Sequence, residues 1–204
     1  MPAPAPATRY SRLAMLFHWA IAALFLLEFA LAVSFSQFNP GDAGYFRSAY
    51  SLHMSIGMAG LALSVLCVLW RLVHRYPPLP EEMGLGMRCI AKGAHLFLYA
   101  SILAVPLTGW AVLAVRHSPV TLIGSVHWPN MPYVFGLSRV QRGALHTWML
   151  PTHSYVAYCA ISLVGVHVLA ALYHHFYRRD DVLLRMLPRT RIRQEAGAQP
   201  QRAR

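Results

Sequence analysis

Four long runs of apolar residues divide the chain, and segments rich in proline, glycine and arginine separate them. Each run has the roughly 20 residues that an α-helix needs to cross the hydrocarbon core of a bilayer. Because lipid cannot satisfy backbone polar groups, such runs are expected to be helical. The pattern predicts an all-α integral membrane protein, a four-helix transmembrane bundle, with spans at about Leu13–Phe35, Tyr50–Val73, Gly93–Val115 and Pro151–Tyr177.

The segments outside these runs predict the domain organisation. The opening residues MPAPAPAT predict a disordered N-terminal tail at 1–8. Residues 9–188 are predicted to form one transmembrane domain, and 189–204 a basic cytoplasmic tail. The first run is not expected to be a cleaved signal peptide, because it is longer than a signal h-region and contains His18 and Glu28.

Composition and charge agree with a membrane protein. Only 12% of the residues are charged and 56% are hydrophobic, whereas soluble domains carry roughly 25% charged residues. The net charge of +11 comes mainly from the two tails and from the loop between the second and third runs. By the positive-inside rule, this distribution predicts that both termini lie in the cytoplasm. No nucleic-acid-binding motif accompanies the charge, so lipid is the expected partner and nucleic acid is not.

Histidines interrupt the apolar runs, and the last run contains His153, His167 and His174. His153 and His167 are fourteen residues apart, which is ~21 Å along a helix axis and almost four whole turns. The two imidazoles should therefore leave the same face of one helix. Ionisable side chains inside a membrane are costly and indicate functional sites. One helix cannot complete two histidine pairs, so the partners must come from other spans.

Depth in the membrane predicts those partners. With both termini in the cytoplasm, His18 lies near the cytoplasmic side, as does His167. His53 lies near the outer side, as does His153. Facing imidazoles in an apolar bundle suit haem iron, which takes two axial nitrogens. We therefore predict two metal-binding pairs, His18 with His167 and His53 with His153.

His146 is a rival to His153 as the outer ligand. It lies 21 residues before His167, or ~32 Å along a helix, which exceeds the ~30 Å thickness of the hydrocarbon core. Pro151 also suits the first turn of a helix better than its interior. These two arguments favour His153.

The segments around the histidines resemble the bacterial cytochrome b561 family. The similar stretches are YSRLAMLFHW, LHMSIG with VLWRL, GAHLFLY with VPLTGW, and VGVHVLAALYHHF followed by DDVLLRMLP. The resemblance implies four transmembrane helices, two b-type haems with bis-histidine ligation, and electron exchange with ubiquinone. By position, His18 and His167 match the cytoplasmic haem ligands, and His53 and His153 match the periplasmic ones.

Further residues border the predicted cytoplasmic haem site. His174 lies two turns beyond His167 on the same face, where an imidazole can hydrogen-bond a quinone carbonyl and deliver a proton. His95 is expected to support the haem propionates or the quinone. Arg12 and Arg71 are expected to pair with propionates, as arginines do with carboxylates. The alternative interpretation is that these four residues only anchor the helices at the membrane interface.

Glu28 lies deep in the first span, where an isolated carboxylate is costly. It is interpreted either as a proton relay or as a neutral side chain hydrogen-bonded to a neighbouring helix, and the second interpretation is favoured. A histidine-lined metal transporter is disfavoured, because the spans offer no carboxylate path beyond Glu28.

The histidine pattern and the family resemblance together imply two alternative redox functions. The first is a di-haem b cytochrome of the bacterial inner membrane that transfers electrons between a periplasmic-side donor and the ubiquinone pool. The resemblance implies superoxide as a candidate donor, which would make the protein a superoxide:ubiquinone oxidoreductase, and a redox protein is the other candidate. The alternative function is an electron-conduit subunit of a dehydrogenase or hydrogenase-type complex.

Overall fold

Four long helices make up most of the computed structural model, which describes residues 9–37, 43–74, 77–78, 84–116, 120–121, 127–129, 131 and 136–188. The helices are α1 (Arg12–Ser34), α2 (Ala43–Val73), α3 (Leu85–Arg116) and α4 (Arg139–Tyr173). All four are long and apolar enough to cross a membrane. The predicted all-α membrane bundle is confirmed. The predicted tails at 1–8 and 189–204 lie outside the described residues.

The described parts of both chain ends meet at one end of the bundle. The Arg9 guanidinium donates hydrogen bonds to the carbonyl oxygens of Leu184, at 2.7 Å, and Leu187. Arg185 Nη1 donates to the carbonyl of Pro78, between α2 and α3, at 3.0 Å. We call this the terminal end; it contains the first turns of α1 and α3 and the last turns of α2 and α4. The opposite end is the distal end.

A short segment after α4, the C-terminal strap (Asp180–Leu187), makes these contacts. α4 continues into one π-helical turn, His174–Arg178, and Arg179 then takes a left-handed conformation with φ 53°. This reverses the chain onto the start of α1, where the Trp19 indole N–H donates to the carbonyl of Met186 at 2.8 Å. The strap thus closes the terminal end of the bundle.

The start of α4 differs from the prediction. Ser138 caps the helix, its hydroxyl accepting from the Gln141 N–H at 3.3 Å while the Gln141 side chain accepts from the Ser138 N–H at 2.9 Å. Pro151 lies inside α4, so the expectation that it begins the helix is wrong. A proline is tolerated within a membrane helix whose surroundings compensate for the lost hydrogen bond, and the capping signal at Ser138 starts the helix earlier. His146 is therefore helical, and α2 and α3 also begin earlier than predicted.

Close packing is uneven around the bundle. α3 packs on α4, α1 on α2, and α2 on α3, where Met58, Leu61 and Leu113 form a buried cluster. Within the described part of the chain, the backbone of α4 approaches α1 and α2 less closely than it approaches α3. The paired rings of His18 with His167 and of His53 with His153 lie in these wider gaps beside α4.

Large apolar side chains remain exposed on the outside of the helices. Leu72 is 75% exposed, Leu96 68% and Leu169 67%. A soluble protein rarely leaves such extended apolar surface in water, whereas in a bilayer this surface contacts lipid.

The distal end carries an antiparallel pair of two-residue strands, β1 (Val120–Thr121) and β2 (His127–Trp128).

Candidate cofactor-binding site

His53 on α2 and His153 on α4 face each other in the distal half of the bundle. Their ring centres are 6.3 Å apart and their planes are inclined by 65°. A metal–imidazole bond is about 2 Å long, so two imidazoles on opposite sides of one metal have ring centres about 6 Å apart. The spacing of this distal pair therefore fits axial ligation of a single metal.

The Nδ1 atoms of the distal pair are both held from other helices. His53 Nδ1 lies 2.5 Å from Oε2 of Glu28 on α1, and His153 Nδ1 lies 3.1 Å from Oγ1 of Thr108 on α3. The Thr108 hydroxyl lies 2.9 Å from the carbonyl oxygen of Ala104 and 2.8 Å from that of Val105. It donates its one proton to this backbone, so its oxygen is left to accept from His153. Metal-binding histidines use one ring nitrogen for the metal and the other for such a partner. Nε2 of each ring is thus available to a metal.

Gly109 provides the space for the ring of His153. A Cβ atom at Gly109 would lie 3.1 Å from Cε1 of His153, which is closer than ordinary van der Waals contact. Sequence reasoning did not single out Thr108 or Gly109, although both belong to the VPLTGW stretch that carries part of the family resemblance.

Gly109→Ala is expected to displace the His153 ring and lower the haem affinity of the distal pair by about tenfold, as disturbed supporting contacts do at metal sites. Haem content per polypeptide after extended dialysis measures the effect. Gly60→Ala is the matched control, because a Cβ there meets nothing within 4 Å. Equal haem retention in the two variants would contradict the prediction.

The terminal half of the bundle holds a second pair. His18 on α1 and His167 on α4 have ring centres 6.2 Å apart, with an interplanar angle of 63°. This spacing nearly repeats that of the distal pair. His95 on α3 joins them, its ring centre 5.6 Å from that of His167 and its Nδ1 2.7 Å from the carbonyl oxygen of Ala91. The structure therefore brings together three of the predicted site residues here.

His146 lies apart from the distal pair. It lines a distal cleft of about 410 Å³ between the end of α3 and the start of α4, and its Nε2 is buried without a hydrogen-bond partner in the described part of the chain. The charged residues of this cleft are Arg116, Arg139 and Arg142.

His174 is joined to the C-terminal strap. Its Nδ1 lies 2.5 Å from Oδ2 of Asp180, and Oδ1 of Asp180 accepts from the Val182 N–H at 3.1 Å. Partial burial of Asp180 opposes its ionisation, but these hydrogen bonds and the charges of His174 and Arg178 together lower the pKa of its carboxyl. The lowered pKa keeps the carboxylate ionised at neutral pH, and its stabilising contribution is lost as pH falls through that pKa.

The two predicted propionate partners lie at the terminal end. Arg12 is the first residue of α1, and Arg71 lies in the last turn of α2. Both residues are exposed at the end of the bundle that contains His18 and His167. Their pairing with propionates remains a prediction.

Sequence comparison identifies the family of this bundle. Residues 9–189 match the family of prokaryotic cytochrome b561. The chain belongs to this family. Membership agrees with the family resemblance of the sequence and makes the chain a membrane electron-transfer protein, with haem b as the cofactor that the family implies. The two histidine pairs offer nitrogen donors of the kind that haem iron takes, and their role as ligands remains a prediction.

Three curated relatives cover nearly the whole chain. Cytochrome b561 homolog 2 of Escherichia coli (strain K12) is 32% identical over 183 residues, which are 88% of this chain and 91% of the relative. The probable superoxide oxidase CybB of Yersinia pestis is 28% identical over 186 residues, 90% of this chain and 98% of the relative. Cytochrome b562 of Cereibacter sphaeroides is 25% identical over 186 residues, 87% of this chain and 94% of the relative.

Proposed function

We propose that this chain is a di-haem b cytochrome of the bacterial inner membrane that passes electrons from superoxide on the periplasmic side to ubiquinone. The observation that carries the proposal is the pair of similar bis-histidine arrangements along α4, with ring centres 6.3 Å and 6.2 Å apart. When bound, two haems would supply one-electron transfer between the two membrane faces. His53 and His153 would hold one haem, which we call the distal haem. His18 and His167 would hold the other, the terminal-end haem.

The orientation in the membrane rests on charge. The excess of Lys and Arg in both tails and in the connection between α2 and α3 supports a cytoplasmic terminal end. The distal end then faces the periplasm. Arg12 and Arg71, at the terminal end, would pair with the propionates of the cytoplasmic haem, and His95 would border the same site.

The distal cleft supports an anionic electron donor. Arg116, Arg139 and Arg142 concentrate positive charge beside His146, and such a surface raises the local concentration of a small anion. Superoxide is an anion that releases one electron and leaves as dioxygen. The similarity to a probable superoxide oxidase supports this donor over a redox protein.

His174 is the proposed contact for ubiquinone. It lies seven residues beyond His167 in the sequence, about 10 Å further along the helix, toward the cytoplasm. Asp180 accepts a hydrogen bond from its Nδ1, which leaves Nε2 to bond a quinone carbonyl. Reduction of ubiquinone to ubiquinol takes two electrons, from two superoxide ions, and two protons, which His174 can deliver in turn from the cytoplasm.

The decisive experiment supplies superoxide and a soluble ubiquinone to the purified holoprotein and follows ubiquinol formation. One ubiquinol should appear for each two superoxide ions consumed. Quinone reduction that requires a co-purified dehydrogenase or hydrogenase subunit would contradict the proposal and favour the electron-conduit alternative.

His174→Gln is expected to lower ubiquinol formation by about 100-fold, a typical loss for a general acid, while superoxide still reduces the bound haems. Stopped-flow absorbance separates these two half-reactions. His175→Gln, which changes the neighbouring histidine on a different side of the helix, should leave both rates unchanged. If His174→Gln lost both haem reduction by superoxide and ubiquinol formation, or if it reduced ubiquinone at the full rate, His174 would not be the ubiquinone contact.

A further inference from the structure

We propose that Glu28 is a positioning residue for the distal ligand His53 and that it lowers the redox potential of the distal haem. A lower redox potential at the distal haem would favour electron transfer from the distal site toward the terminal end. This inference rests on the proposed di-haem function and adds a residue that sets its direction.

The geometry of Glu28 supports this role. Its Oε2 lies 2.5 Å from Nδ1 of His53, and the two side chains are only 16% and 21% exposed. Oε1 of Glu28 and Nδ1 of His53 are both buried and without a hydrogen bond of standard geometry among the described residues, so the 2.5 Å approach of Oε2 is the contact that joins the two groups. Gly57, one turn beyond His53, lies beside the carboxyl group, since a Cβ there would be 3.8 Å from Oε2, an ordinary van der Waals contact.

The effect on potential follows from the proton on His53. When Nε2 binds a metal, the neutral imidazole carries its proton on Nδ1 and donates it to the Glu28 carboxylate. A hydrogen bond to a carboxylate is charge-assisted and makes the imidazole a more basic ligand. The negative charge and the basic ligand both stabilise ferric iron relative to ferrous iron, and the low dielectric constant of the bundle strengthens the effect.

Among the described residues, the other three proposed ligands have no carboxylate partner. His153 contacts the neutral hydroxyl of Thr108. Across the described ranges, carboxylate–histidine contacts occur at His53 and His174, and neither His18 nor His167 has one. The carboxylate therefore acts on the distal pair alone, and its effect is to lower the potential of the distal haem relative to that of the terminal-end haem.

The test is an optical redox titration of the purified holoprotein. Glu28→Gln keeps an oxygen acceptor of similar shape but removes the charge. The ratio of ferrous to ferric distal haem at a fixed potential should rise about tenfold, which corresponds to ~59 mV for a one-electron couple. The midpoint of the terminal-end haem should not move. Thr108→Val, which removes the neutral partner of His153, is the matched control and should shift the distal midpoint less.

A second variant guards against a Glu28→Gln protein that fails to fold. Glu28→Asp retains the negative charge but moves it away from His53, because the side chain is one methylene shorter. The distal midpoint should therefore rise, as in Glu28→Gln, but by a smaller amount. Repeating both substitutions in a His18→Ala background isolates the distal haem spectrum. An unchanged distal midpoint in both variants, or an equal shift of both haems, would overturn the inference. A wild-type protein without a distal haem would contradict the proposed function instead.

Discussion

His167→Ala is expected to remove the terminal-end haem completely and to abolish ubiquinol formation. The substitution deletes one of two imidazoles whose ring centres lie 6.2 Å apart, and no methyl group can replace a metal-binding nitrogen. Haem content should fall from two to one per polypeptide, as measured by haem extraction and protein assay. The remaining distal haem should still be reduced by superoxide.

The control for this prediction is His95→Ala. The His95 ring centre is even closer to that of His167, at 5.6 Å, so proximity alone does not select the partner. We expect His18→Ala to lose the same haem as His167→Ala, and His95→Ala to retain both haems. Loss of that haem in His95→Ala, with retention in His18→Ala, would assign the second ligand to α3 instead of α1.

His153→Ala is expected to remove the distal haem and to disconnect superoxide oxidation from quinone reduction. His53→Ala should have the same effect, because the two rings face each other at 6.3 Å. Dithionite should still reduce the terminal-end haem in both variants, whereas superoxide should not. Difference spectra with the two reductants measure this separation directly.

His146→Ala is the matched control on the same helix. Its side chain lines the distal cleft, and it lies seven residues before His153, or about 10 Å along the axis. We expect this variant to bind both haems. Loss of the distal haem in His146→Ala, with retention in His153→Ala, would show that the distal ligand is misassigned.

The fold could be predicted from the sequence, and the predicted histidine pairing has the same physical basis. Apolar length determines how many helices cross a bilayer, and the fixed rise of a helix converts residue number into depth. Depth alone matched His18 with His167 and His53 with His153, and the structure brings each pair of rings together. The start of α4 was mispredicted because Pro151 was taken to suit the first turn of a helix, whereas a capping box at Ser138 begins the helix earlier.

The partners of the distal pair were beyond sequence reasoning. A helix that is apolar on every side has no polar stripe to define which face turns inward. The rotation of α1 and α3 about their axes therefore could not be derived, and with it neither the contact of Glu28 with His53 nor that of Thr108 with His153. The favoured interpretation of Glu28 was a neutral side chain hydrogen-bonded to a neighbouring helix. The structure identifies His53 on α2 as its contact, and the charged carboxylate proposed above differs from the neutral form.

The C-terminal strap has a consequence for how the protein is made. Arg9 and Trp19 donate hydrogen bonds to carbonyls of Leu184 and Met186, which the ribosome adds after all four helices. During synthesis the start of α1 must therefore satisfy these donors with water or lipid headgroups. The terminal end of the bundle is completed only after α4 has inserted, so this end assembles last.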